Sequence, residues 1–201
     1  MKKAIIGSGG MGRELLVQML DNNPNEEIVF FVNDEYPHDD MKILSLKNFN
    51  PNIYKVIVAL GDSYLREKIV NSLPINTKYF TFIHKSVLIF DNIEIGEGSV
   101  ICAGSILTTN IKIGRHAQLN RATNISHDTI IGDFFTTAPG VHVSGNCKLG
   151  NRIYMGCLSC TKEKIIICDD VIIGLNSGII KNINESGVYV GTPAIKIKNF
   201  N

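Results

Sequence analysis

From Ile83 to Ile179 an aliphatic residue recurs at every sixth position, with no gap or insertion in the register. Of the 17 positions, fifteen are Ile, Leu, Val or Met, and the two exceptions are Thr137 and Thr161. Those four residue types make up 62 of the 201 residues, so chance alone would place about five of them in the series. Glycine follows the aliphatic residue at Gly96, Gly114, Gly132, Gly150, Gly156 and Gly174, and the fifth position of most hexads is small or β-branched, as at Ser99, Ala117, Thr123 and Ser177. A six-residue period of this kind predicts a parallel β-helix in which each hexad forms one short strand and a turn. Three hexads close one triangular coil of 18 residues, so residues i and i+18 stack at the strand spacing of ~4.8 Å. The first hexad position points inward and builds an aliphatic column with no room for an indole, and the chain contains no Trp. Such a solenoid needs covered ends. The residues before 83 are expected to cover one end and the tail after Ile183 the other.

The first 82 residues have a different pattern. A buried strand is expected at residues 3–6, running into Gly7-Ser8-Gly9-Gly10-Met11-Gly12 and then a helical stretch at 13–21 with Leu15, Leu16, Met19 and Leu20 inward. Strand, glycine loop and helix in this order let the backbone approach a phosphate at the positive end of the helix. A second strand at 27–32 leads to Asp34, about 20 residues beyond the last glycine and placed to meet a ribose hydroxyl. A third strand at 55–60 ends at Gly61-Asp62, a helix follows at 63–73, and a fourth strand is expected at 79–83. The alternation predicts a small parallel sheet with ligand at the carboxyl ends of its strands. A dinucleotide domain usually needs about 130 residues and two such halves. One half suits a single nucleotide or nucleotide sugar better, and an NAD-dependent oxidoreductase leaves the repeat unexplained.

Charge excludes other classes. The 20 basic and 19 acidic residues leave a formal charge of +1, so nothing marks the chain for nucleic acid. The apolar run after Met1-Lys2-Lys3 stops at Gly7, too short for a signal core or a membrane span. The chain is therefore expected to be cytoplasmic. Its five cysteines, Cys102, Cys147, Cys157, Cys160 and Cys168, have neither a disulfide-framework nor a zinc-site spacing and read as free thiols. A zinc site would need three converging histidines, yet His116, His127 and His142 fall on different parts of the coil by hexad count.

The ending Tyr189-Val190-Gly191-Thr192-Pro193-Ala194, the hexads and the opening Ile5-Ile6-Gly7-Ser8-Gly9-Gly10 together resemble the bacterial sugar acetyltransferases of the sialic-acid O-acetyltransferase and nucleotide-amino-sugar N-acetyltransferase type. The resemblance implies a Rossmann-like half-domain at 1–82 that holds a sugar nucleotide, and a left-handed parallel β-helix with its tail at 83–201. It further implies a homotrimer with active sites between subunits, acetyl-CoA as donor, and a role in surface-glycan synthesis. Acyl transfer from a thioester needs a general base and a donor for the developing oxyanion. His127 sits at the outward third hexad position beside Asp128, within a segment matching the family's catalytic His followed by an acidic residue, and is the expected base. Gly145 lies one coil beyond it and is expected to turn its backbone N–H to the thioester oxygen. Cys157 and Lys181 complete the expected acetyl-CoA contacts; Lys196 and Lys198 read either as further phosphate contacts or, more simply, as solvated surface lysines. Substrate contacts are expected at Gly7, Ser8, Gly9, Gly10, Met11, Asp34, Gly61, Asp62 and Asn120. Many family members carry His where Met11 stands and some where Thr136 stands, which leaves the acceptor open between amine and hydroxyl. A non-catalytic β-helix scaffold is the alternative of another class.

Overall fold

The computed structural model describes residues 1–33 and 42–199. The first unit is a fully parallel sheet in the order β3-β2-β1-β4-β5. Its strands are β1 (Lys2–Ile6), β2 (Ile28–Val32), β3 (Ile43–Ser45), β4 (Tyr54–Val58) and β5 (Lys78–Tyr79), with helices α1 (Gly10–Asn22) and α2 (Ser63–Ser72). The central strand β1 is covered on both faces, leaving Ala4, Ile5 and Ile6 at most 3% exposed, and such two-sided burial selects short apolar runs. Five strands form where the alternation of segments predicts four. The added β3 pairs beside β2 through Phe30 and Ile43 and is too short to carry a period. The expected strand at 79–83 is divided: Phe80 N–H donates to Val56 O in this sheet, and Phe82 N–H already donates to Ser99 O in the next.

From Phe82 the chain winds as stacked triangular coils. Strand pairs Phe82↔Val100, Val100↔Gln118, Gln118↔Thr136 and Thr136↔Tyr154 on one face are each 18 residues apart. The corresponding pairs on the second face include Asn124↔His142, and on the third Ile130↔Lys148. Coils are tied by backbone bonds from residue i to i+17, such as Val100 N–H to Ala117 O at 2.8 Å. Every member of the six-residue series from Ile101 to Ile179 is buried, forming one continuous column. Thr137 and Thr161 interrupt it without leaving unmet polar atoms. Thr137 Oγ1 meets Thr123 Oγ1 at 2.7 Å and accepts from Asn120 N–H, while Thr161 Oγ1 accepts from Ser144 N–H at 3.0 Å.

Each corner turns on the fourth hexad residue. From Asn92 to Asn176 every such residue has a positive φ, near 71–73° at the glycines and 51–63° at side chains as large as Phe134 and Arg152. The left-handed conformation costs an L-residue about 1–2 kcal/mol, and the coil-to-coil ladder imposes it. At the third corner the glycines are required by contact. A Cβ on Gly114 would lie 2.5 Å from the Gly132 carbonyl carbon. Beside them Asp133, Asn151 and Asp169 each accept from the backbone N–H 18 residues earlier.

The α/β unit docks along the flank of the solenoid rather than over its end. Ile83 and Ile89 in the first coil therefore remain 37% and 38% exposed. The reason lies in the apolar outer face built by Phe82, Val100 and Cys102, which packs with Leu15, Met19 and Phe30. Arg66 of α2 is fully buried in this joint. Its guanidinium donates to the carbonyls of Leu60, His116 and Phe134 and to Thr136 Oγ1. Burial pulls its pKa down to about 9, still above neutrality, so a cation is held by oxygen dipoles, with no carboxylate bonded to it among the described residues. Further out, Arg152 bonds Asp170 and Glu67, and Tyr64 donates to Asp170 at 2.7 Å. The contact thus covers the first face and reaches two of the three corners. Among the described residues of the α/β unit, none bonds to the second corner, between the second and third faces.

His116 is buried beneath the same joint, stacked on Phe134 at 5.2 Å and edge-on to Tyr79. Burial, helped by Arg115 and Arg66, lowers its pKa to about 4. Because the unfolded chain then binds the additional proton, stability is complete above pH 6.5 and is lost as pH falls toward 4, by about 3 kcal/mol in all. His116→Phe, whose size and positive φ match Phe134, is expected to flatten the decline in Tm between pH 6.5 and 4.5. Arg66→Met leaves several buried carbonyls without a donor and is expected to cost about 3 kcal/mol or more by urea unfolding. An unchanged midpoint would remove Arg66 as the clamp.

Candidate active site

His127 stands on the uncovered second corner, its side chain 54% exposed. Its Nδ1 lies 2.7 Å from Asp128 Oδ2, and a carboxylate there favours the Nδ1–H tautomer, leaving Nε2 with a free lone pair. Asp128 is oriented in turn. Its Oδ1 accepts from Asn110 Nδ2 at 3.1 Å, and Asn110 Oδ1 accepts from Asn92 Nδ2 at 2.7 Å. These three residues are successive rungs, 18 apart, of one corner column. The His127 and Asn110 bonds hold the Asp128 carboxyl below the usual range, so it is ionised at neutral pH.

Gly145 occupies the next rung above the imidazole. A Cβ there would lie 2.6 Å from Nε2 and 2.7 Å from Cε1 of His127. Among the described residues the Gly145 N–H has no acceptor, whereas its carbonyl accepts from Lys164 N–H. Thr161 sets this arrangement by taking the Ser144 N–H, and Ser144 Oγ donates to Thr161 O at 2.7 Å. The sequence signal for Thr161 was its break in the aliphatic series. Glu163 and Lys181 follow Gly145 along the same corner, placing exposed Lys181 three rungs, or about 14 Å, from His127.

The glycine loop borders two cavities. One, of about 270 Å³, lies at the carboxyl ends of the strands and is lined by Gly7, Ser8, Gly9, Asn33 and apolar residues including Phe31, Leu46 and Leu60. Gly7 has φ +103°, and Gly12 touches it so closely that a Cβ would lie 2.0 Å from Gly7 O. Among the described residues no side chain caps α1 at Gly9, which leaves backbone donors of its first turn for an anion. The other is a cleft of about 370 Å³ between loop and solenoid, bringing together Gly10, Met11, Gly61, Asn120, Thr136 and Cys157.

The expected site residues thus divide between two places. His127, Asp128, Gly145 and Lys181 share the second corner, whereas Asn120 and Cys157 belong to the first corner with the cleft. Cys157, expected with the cofactor residues, instead lines the cleft beside the glycine loop of its own chain. Asp62 caps α2 by accepting from Leu65 N–H at 2.9 Å, a structural duty for one oxygen. Asp34 lies outside the described residues. Lys196 is paired with Glu185 at 3.0 Å. Neither Asn110 nor Gln118, another wall of the cleft, was singled out by the motifs.

Gly145→Ala is expected to push the imidazole aside and lower kcat about 100-fold, with Tm within a few degrees of the parent. Asn110→Leu is expected to lower it less, about five- to tenfold, through a looser Asp128. Steady-state kinetics beside thermal melts check both. Full activity in Gly145→Ala would remove this rung from the site.

Comparison with known proteins follows the same division. The profile of the PglD N-terminal domain matches residues 2–73. GDP-perosamine N-acetyltransferase of Escherichia coli O157:H7 is 26% identical over 172 residues, 80% of this chain and 78% of that protein. WeeI from Acinetobacter baumannii AYE superposes with a TM-score of 0.89 at 27% identity, covering 98% of this chain and 100% of the other. PerB from Caulobacter crescentus, solved with CoA and GDP-perosamine, shares the fold with a TM-score of 0.88 at 22% identity over 98% of this chain and 97% of its own. Across its α/β unit and its left-handed β-helix alike, the chain is similar to hexapeptide-repeat sugar acetyltransferases.

Proposed function

We propose that this protein transfers the acetyl group of acetyl-CoA to an amino group on a nucleotide-linked sugar. The observation that carries the reading is the pairing of a free His127 Nε2 with the unengaged Gly145 N–H one rung away. The base and the oxyanion donor lie side by side without a serine or cysteine nucleophile between them. In direct attack the amine nitrogen bonds to the thioester carbonyl carbon as His127 removes its proton. Gly145 N–H donates to the oxygen that gains charge, and the C–S bond breaks to release the thiol. Asp128 stabilises the imidazolium formed in between. The relative from Escherichia coli and the CoA-bound structure from Caulobacter crescentus support an amine acceptor and a CoA donor.

The corner from Gly145 to Lys181 suits the donor's extended arm, with Lys181 near its phosphates and Cys157 contributing from a neighbouring copy. The apolar cavity suits a nucleobase and ribose, and the cleft suits the sugar. Because the α/β unit of one chain does not reach that chain's second corner, His127 needs the sugar held by an adjacent copy. This supports a homotrimer with sites between subunits. Among the described residues no helix is long and apolar enough to cross a membrane. We assign the reaction to the cytoplasm, where acetyl-CoA and sugar nucleotides are made, as a step toward a surface glycan.

The test is thiol release from acetyl-CoA with UDP-, GDP- and dTDP-linked 4-amino sugars and with sialic acid. Turnover is expected with one of the amino sugars, and His127→Ala is expected to lose 10²–10⁴-fold in kcat with KM nearly unchanged. Turnover confined to sialic acid would move the acceptor from nitrogen to oxygen. A fully active His127→Ala would refute the mechanism.

A further inference from the structure

Gln118 is 2% exposed on the first face of the solenoid, where it walls the cleft beside Met11, Gly61 and Asn120. Its Nε2 donates to Val58 O at 2.9 Å. Its Oε1 is buried and has no hydrogen-bond partner among the described residues. The orientation of the amide follows from chemistry, because the Val58 carbonyl can only accept and must face the NH2 end. The acceptor end is therefore the one left over on this wall of the cleft, with nothing among the described residues to satisfy it. A buried acceptor left in this state costs about 1–3 kcal/mol, a cost that a suitably placed ligand donor removes.

The neighbouring rungs narrow what that ligand group is. Thr136, directly above Gln118 in the ladder, already accepts from Arg66 Nη2 at 2.7 Å. Tyr154 follows one rung further, and burial raises its phenol pKa, so it stays neutral. The wall from Gln118 to Tyr154 thus presents neutral polar groups and one fixed acceptor. A phosphate or carboxylate oxygen is repelled by that acceptor, whereas a hydroxyl or an amine is drawn to it. The phosphates have donors elsewhere, at the uncapped start of α1.

We propose that Gln118 is a specificity-determining residue, its Oε1 accepting a hydrogen bond from one hydroxyl or amine of the sugar in the cleft. This rests on the reading of the protein as a nucleotide-sugar acetyltransferase, and it fixes how the substrate lies: diphosphate toward the α1 start, sugar edge against Gln118. A site built around a buried acceptor discriminates strongly against a substrate lacking the matching donor.

The test pairs substrate and residue deletions. Wild type and Gln118→Met are compared with the amino-sugar nucleotide that wild type turns over, and with its singly deoxygenated sugar analogues. Gln118→Met is expected to raise KM for the sugar nucleotide at least tenfold, with KM for acetyl-CoA and the affinity for the bare nucleoside diphosphate unchanged. One deoxy analogue is expected to raise KM about as much in wild type, with little further effect in Gln118→Met. A folded Gln118→Met with unchanged sugar KM overturns the proposal. Should that variant not fold, the wild-type series decides: an analogue set in which no single deletion raises KM more than threefold also overturns it. Absence of turnover by wild type with every amino sugar would instead defeat the underlying functional reading.

Discussion

The parallel pairing of residue i with residue i+18 is the constraint from which the rest of this structure follows. Once the ladder closes, inward positions become one column, and every fourth hexad residue enters the left-handed region whatever its side chain. Single corners adopting that conformation in isolation would be disfavoured. Stacked, each is held by bonds to its neighbours, such as Phe134 N–H to Arg115 O and Arg152 N–H to Asp133 O. The cost is spread along a one-dimensional array whose stability is a sum of neighbouring interfaces. The same register makes corners into polar ladders, one of them the Asn92, Asn110 and Asp128 series that ends on the imidazole.

The second constraint is the angle at which the α/β unit meets this array. Arg66 sets it by gathering carbonyls from both sides of the joint: Leu60 on its own unit, His116 and Phe134 on the solenoid. A carboxylate partner could pair with Arg66 in several geometries, whereas carbonyls fixed in two backbones admit few. The joint therefore locks the glycine loop over the first face and keeps it from the corner that bears His127. The cleft and the His127 corner of one chain thus face different directions, which is the arrangement the proposed sites between subunits require.

What the sequence displayed was whatever depends on spacing. The hexad count located the column, and adding 18 to His127 arrived at Gly145, where the structure places the imidazole within contact of an absent Cβ. Polar partners across the joint were hidden, because Arg66 on an ordinary-looking helix meets carbonyls 50 and 68 residues away, and carbonyls have no sequence signature. The short β3 was missed because three residues carry no period. The run at 79–83 looked continuous because both sheets ask for apolar residues, although the hydrogen bonding changes hands between Phe80 and Phe82. Asp62, a substrate contact by its place after a strand, also caps the following helix through one oxygen, a duty the strand pattern alone does not reveal. Thr137 and Thr161 were visible as exceptions, but their purpose emerges only with Asn120 N–H and Ser144 N–H bonded to them.

The two sides of the base differ, and the difference gives the reaction a direction. Toward the N-terminal coils, His127 is occupied by Asp128, itself held by Asn110 and Asn92. Toward the C-terminal coils it meets a residue with no side chain and an amide with no acceptor among the described residues. In the proposed reaction the donor thioester approaches from the Gly145 side, with its long arm running toward Lys181, and the acceptor comes from outside the corner. Any side chain at 145 closes that approach, and any loss of the ladder below lets the ring turn away from it. The proposed base, oxyanion donor and donor channel are thus rungs of one column, and the spacing that stacks the core also sets the distance between the groups proposed to do the chemistry.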